Sequence, residues 1–475
     1  MLTREQRVND RLNRTSELRT DTGRTRRHRT AIGRIGTLAA SVAVLATSSI
    51  TGAAAADAGD ASASRGVTIP AFYDPPQTLP SADGALVRSE PMRLGLSLPG
   101  LTGPLPGRAT RLMFKSTDAN GEPVAVTGAY IEPSAPWRGA GPRPLVVQAS
   151  GTMGQGDQCA PSLALENPLS LNLQDSSISA SVGYENIATY RLLSQGIAVM
   201  STDYVGLGTT DRLHTYAGRL DQGHAVLDAV RAAKKVPGSS VQATSRVGLY
   251  GYSQGGGAVA SAAELLPTYA PELSIAGAYV GAPPADLTRV IDGIDGSALT
   301  VALAWTINGM AQTRPEIAPI LDAYLNDKGK AMLKDAATQC VGDGILGYAF
   351  TRTTSLTKAG ISLSTVLDRE PTLKKIVQQQ RIGLAKPATP VRIATGISDD
   401  TVPHGQVRQL AVDWCRAGGT VTYAPIPIPD LGQKVVLTNH FLPLITDQTA
   451  ALSWLGARLD GKAATSNCSA LPILP

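Results

Sequence analysis

Two rhythms of apolar residues run along this chain. Residues 144–150, 196–203 and 245–253 are short, nearly continuous apolar runs, the mark of strands buried on both faces. Residues 275–284, 390–398 and 421–429 supply further strands. Earlier, residues 111–117 and 124–133 flank the turn Asp118-Ala119-Asn120-Gly121, as the two arms of a hairpin should. The second rhythm is helical: residues 222–236 place apolar side chains at helix spacing, and Pro237-Gly238 ends the pattern. Strands alternating with helices imply βαβ units, hence an α/β fold with a mostly parallel central sheet flanked by helices.

The alternation breaks between residues 285 and 386, where the pattern is mainly helical, as in residues 317–337. A hundred residues far exceed a typical crossover, so this stretch reads as a helical cap inserted into the core. The expected organisation is an export signal over 1–56, a flexible linker over 57–66, a core over 67–284, the cap over 285–386 and the rest of the core over 387–475.

Charge changes the picture only at the N-terminus. Of the net +5, residues 1–36 hold ten arginines against Glu5, Asp10, Glu17 and Asp21. The remainder is one charge on the acidic side of neutral, which excludes the basic domain that nucleic-acid binding requires. Residues 37–56 are uncharged and apolar and end in alanines, the pattern of an export signal cleaved near Ala56. Threonines and serines interrupt the run too often for a membrane span of ~20 strongly apolar residues. The protein is therefore expected outside the cell. Four cysteines, Cys159, Cys340, Cys415 and Cys468, are an even set that reads as disulfides in an exported chain. They lack the Cys/His spacing of a zinc site, and no metal or cofactor is expected.

The chemistry centres on Gly251-Tyr252-Ser253-Gln254-Gly255. This G-x-S-x-G follows a strand and precedes a helical pattern, the context in which a sharp turn lifts a serine hydroxyl above a sheet. A serine needs a base, and the base a partner to fix its tautomer. In this architecture the acid and then the histidine follow the serine. His28, His214 and His224 come too early, and His404 sits just after the acid candidates. His440, in a loop beyond the last strand, is the expected base. Asp399, at the C-terminal edge of the strand at 390, is the expected acid, with Asp400 as a solvated neighbour. The oxyanion of an acyl-transfer intermediate needs fixed N–H donors: Gln254, after the nucleophile, and one from the glycine-rich loop 149–159, first Thr152 and second Met153.

On these motifs the chain resembles the secretory lipase family of α/β-hydrolases. The likeness rests on the glycine loop running into Asp157-Gln158-Cys159, on Asp203-Tyr204 with His214, on the Ser253 motif, and on Gly396-Ile397-Ser398-Asp399-Asp400. It implies a Ser253–Asp399–His440 triad, a helical cap between the sixth and seventh strands, and hydrolysis of acyl esters, triacylglycerols included, at a lipid–water interface. Asp203-Tyr204 reads as a structural turn bordering the pocket. The resemblance also suggests a disulfide from Cys159 to Cys340. Four cysteines allow three pairings; Cys415, after the acid loop, and Cys468, in the C-terminal tail, are expected to be neighbours. An acyltransferase or peptidase on the same fold would share the acyl-enzyme, and a non-catalytic binding protein would not need the triad.

Overall fold

The computed structural model describes residues 62–100, 104–174, 177–430 and 436–475. The segment read as an export signal lies outside the described residues, as do residues 57–61 of the expected linker. The rest of that linker is structured. Strands β1 (Ala63–Ser64) and β2 (Val67–Thr68) form a small hairpin. The Arg65 guanidinium between them donates to Thr338 Oγ1 and to the Asp335 carbonyl, each at 3.0 Å. The reading of a flexible linker up to residue 66 therefore gives way at residue 63, where distant hydrogen bonds fix the chain.

A nine-stranded sheet forms the centre. Its strands are β3 (Leu86–Met92), β4 (Gly107–Thr117), β5 (Pro123–Pro133), β6 (Leu145–Ala149), β9 (Ala198–Thr202), β10 (Val247–Tyr252), β11 (Ile275–Gly281), β12 (Val391–Gly396) and β13 (Val421–Ile426). Their spatial order is β13-β12-β11-β10-β6-β9-β5-β4-β3. From β9 to β13 the pairs are parallel, while β3, β4 and β5 form an antiparallel edge. The β4–β5 turn is held by Asp118, whose Oδ1 accepts from the amides of Asn120 and Glu122 at 2.9 and 3.0 Å. A further hairpin outside the sheet pairs β7 (Leu169–Gln174) with β8 (Ser177–Val182).

Helices cover both faces. Leu145 and Val147 of β6 join the apolar cluster that includes α3 (Arg219–Ala233) and α4 (Gln254–Tyr269). Val146 between them joins a second cluster with α2 (Asn186–Ser194) and α14 (Gln448–Leu459). Alternate side chains of a strand point to opposite faces, so this strand is buried on both sides. The remaining core helices are α1 (Pro161–Glu166), α12 (His404–Arg416) and α13 (Thr438–Thr446).

Between β11 and β12 the chain forms α5 (Leu287–Ile294), α6 (Val301–Thr313), α7 (Ile317–Tyr324), α8 (Asp327–Ala336), α9 (Val341–Tyr348), α10 (Leu363–Arg369) and α11 (Pro371–Gln379). The single helical pattern at 317–337 is divided in two because the Asn326 side chain caps α8, accepting from the Gly329 amide at 3.0 Å. Cys159 is joined to Cys340 and Cys415 to Cys468. The first bond spans 181 residues and the second 53. Loop closure alone makes them worth roughly 5 and roughly 4 kcal/mol. Replacing Cys159 and Cys340 together by serine is thus expected to lower the thermal midpoint more than replacing Cys415 and Cys468. An unchanged midpoint in both double variants would contradict the loop-closure argument.

Candidate active site

Ser253 joins β10 to α4 with φ 58° and ψ −122°, a conformation few side chains adopt. The surrounding structure fixes it: the Ser253 amide donates to the Gly281 carbonyl at 2.9 Å. Glycines make the turn possible by contact distance. A Cβ at Gly251 would lie 2.2 Å from the Gly255 carbonyl oxygen, and one at Gly255 would lie 2.0 Å from that of Ala149. Backbone outliers of this kind persist where the surrounding structure over-determines them.

His440 Nε2 lies 2.9 Å from Ser253 Oγ, and its Nδ1 lies 2.8 and 3.0 Å from the two Asp399 oxygens. The ring is buried, and the Tyr252 hydroxyl donates to the His440 carbonyl at 2.7 Å. Asp399 Oδ1 also accepts from the amides of Thr401 and Val402 at 2.9 and 2.8 Å, which aims the carboxylate inward. Asp400 makes no hydrogen bond to the histidine; its Oδ1 accepts from Thr401 Oγ1 at 3.3 Å. His440 is on the first turn of α13 rather than in a loop. Pro443 lies inside that helix, where its ring removes one intrahelical hydrogen bond.

Burial is the largest influence on His440 and favours its neutral form, but the charge and hydrogen bond of Asp399, with Asp400 adding to them, outweigh it. The net effect raises its pKa above the ordinary 6.5. Only the neutral ring accepts a proton, so activity is expected to rise with pH, with its half-maximum above pH 6.5 in a profile of kcat/KM. A profile already flat from pH 5 upward would contradict a histidine base.

The loop after β6 is gripped from several sides. The Gly151 amide donates to Glu185 Oε1 at 3.0 Å, and the Tyr184 hydroxyl to the Thr152 carbonyl at 3.1 Å. Thr152 Oγ1 is 2.7 Å from the Tyr216 hydroxyl, and Val341 donates to the Met153 carbonyl at 2.8 Å. With the Gly151 amide engaged by Glu185, the next amide along the loop is that of Thr152. Gln254, the first residue of α4, has an amide without a partner inside its helix. The Gln254 side chain meets the buried His214, Nε2 to Nε2 at 3.1 Å. His214 Nδ1 lies 3.0 Å from the Val205 carbonyl and must donate to it, which leaves Nε2 as acceptor. Burial moves its pKa down to about 4, so the ring stays neutral.

Tyr184, Glu185, Tyr216 and the pairing of His214 with Gln254 have no local sequence signal, since each acts on a residue far along the chain. Burial pushes the Glu185 carboxyl up to about 7. Asp203 is held between β5 and α1, accepting from the Ser162 amide at 2.8 Å and from the hydroxyls of Ser162 and Thr127 at 2.5 and 2.7 Å.

The Secretory lipase family profile matches residues 171–467. The chain belongs to the secretory lipase family. Lipase 2 of Candida albicans is 30% identical over 412 residues, covering 84% of this chain and 82% of the relative. A Mycobacterium tuberculosis relative described as a probable inactive lipase is 27% identical, covering 83% of each chain. The crystal structure of Candida antarctica lipase A shares the fold, with a TM-score of 0.66 over 84% of this chain and 87% of that one, at 22% identity. Family and fold together make this protein a carboxylic ester hydrolase of the α/β-hydrolase class. The stretch that matches the family contains Ser253, Asp399 and His440 and begins after the loop that carries Thr152.

Proposed function

We propose that the protein is an exported lipase or esterase that cleaves acyl esters through an acyl-enzyme on Ser253. The observation that carries the reading is the unbroken hydrogen-bonded series Asp399–His440–Ser253 at a strained turn. His440 Nε2 takes the Ser253 proton as Oγ attacks the ester carbonyl, and Asp399 holds the ring with Nδ1–H toward it. The oxyanion is received by the amides of Thr152 and Gln254, each worth about 2.7–4 kcal/mol in the transition state. His440 returns its proton to the departing alcohol, then activates the water that releases the acid.

Helices α5–α11 serve as the cap. They are tied to the loop beneath by Cys159–Cys340 and by the Gln155 side-chain amide, which donates to the Trp305 carbonyl at 3.1 Å. Between them lies a cavity lined mostly by aliphatic side chains, among them Ile291, Leu303, Leu321, Val366 and Leu373. Export, with cleavage near Ala56, is supported by the basic and apolar leader and by the two disulfides, which persist in oxidising compartments. The test is a series of p-nitrophenyl esters from acetate to palmitate beside an emulsified triglyceride. Turnover of the esters supports the reading, and no hydrolysis of any of them would overturn it.

A further inference from the structure

The β7–β8 hairpin is built inside out. In β7, Leu169, Leu171 and Leu173 alternate with Ser170 and Asn172, and their cross-strand partners are Val182, Ala180 and Ile178. One face is therefore wholly apolar and the other polar. A hairpin lying on a protein normally turns its apolar face inward. Here Leu169, Leu171 and Leu173 are 75%, 64% and 68% exposed, and Ile178 and Val182 are exposed as well, while Ser179 and Ser181 are buried.

Several bonds fix the inversion. Gln158 donates to Ser179 Oγ at 3.3 Å, Asn172 to the Arg65 carbonyl at 3.2 Å, and the Ala180 amide to Asp343 at 3.0 Å. Gly342, at the start of α9, lies so close to Ala180 that an added Cβ would meet its carbonyl oxygen at 2.5 Å. Leu346, one turn further along the same side of α9 and 72% exposed, extends the apolar face. No described residue covers it.

We infer that this face is where the protein docks on a lipid–water interface. The choice of partner rests on the ester-hydrolase reading, and two observations support it. The patch is aliphatic, without the aromatic and arginine anchors on which protein interfaces centre, and it has five strand side chains where a specific interface uses roughly 20–30 residues a side. A lipid phase asks only for apolar area and no directional partner. The hairpin also adjoins the site: two residues beyond Val182, Tyr184 bonds the Thr152 carbonyl and packs edge-on against Phe441, the neighbour of His440. Docking through this face brings the reacting centre to the surface that holds its substrate.

The test is flotation of the full chain with triolein droplets coated in phosphatidylcholine, using Ser253→Ala protein so that binding is read without hydrolysis. The parent is expected to float. A further change of Leu169, Leu171 and Leu173 to threonine, which suits a strand, is expected to lower the bound fraction at least tenfold. Equal flotation of the two, or a parent that stays in solution, overturns the proposal. So does light scattering that shows a dimer which the threonines dissociate, since a second copy then covers the face. Leu171→Trp gives a check independent of the triple variant's folding: its emission should shift to the blue on adding phosphatidylcholine vesicles, and no shift counts against the proposal. If the Ser253→Ala protein floats while the chain with Ser253 intact hydrolyses no p-nitrophenyl ester, the ester-hydrolase reading falls instead and the docking face stands.

Discussion

Replacing Ser253 by alanine is expected to lower ester turnover by about six orders of magnitude while leaving the protein folded. The size follows from the coupling of the three groups. Without Oγ there is no nucleophile for His440 to activate, so the proton path from Ser253 to Nε2, 2.9 Å in the intact protein, has no function. Alanine removes only the hydroxyl, and the backbone bond from residue 253 to Gly281 is retained. Thermal unfolding should therefore stay near that of the parent. Initial rates on p-nitrophenyl butyrate measure the effect, and a variant keeping a tenth of the parent turnover would remove Ser253 from the chemistry.

Asp399→Asn is expected to cost about four orders of magnitude in kcat, because an amide in place of the carboxylate favours the wrong tautomer of the base. Its Oδ1 and Oδ2 face His440 Nδ1 at 3.0 and 2.8 Å, so no other carboxylate takes over the contact. Asp400→Asn is expected to leave kcat within a few fold of the parent. Asp400 does act on the histidine through its charge, helping to raise the pKa of His440. Removing that charge should move the rising limb of the pH profile toward lower pH. Paired kcat measurements and pH profiles separate the two residues, and exchanged outcomes would reassign the acid.

The parts legible in the sequence are those whose physics is local. Buried strands declare themselves by continuous apolar runs, as at Leu145–Ala149, and the serine by the glycines its turn demands. The order of acid and base after the serine separates His440 from His28, His214 and His224, and its place beyond the last strand separates it from His404. What escaped depends on partners far away. Glu185 holds Gly151 across 34 positions and His214 meets Gln254 across 40, so no spacing within a segment announces either. The β7–β8 hairpin escaped for another reason. Its alternation of leucine with serine and asparagine says strand, but a periodicity does not say which face is wet, and here the leucines are outside.

The central claim is that Ser253 is the nucleophile, activated by His440. It is tested most directly by treating the protein with diethyl p-nitrophenyl phosphate and mapping the adduct by peptide mass spectrometry. The account predicts one diethylphosphoryl group per chain, on Ser253, forming far more slowly in His440→Ala and absent in Ser253→Ala. A fast, stoichiometric adduct on any other residue, or labelling of Ser253 at the same rate without His440, would contradict it.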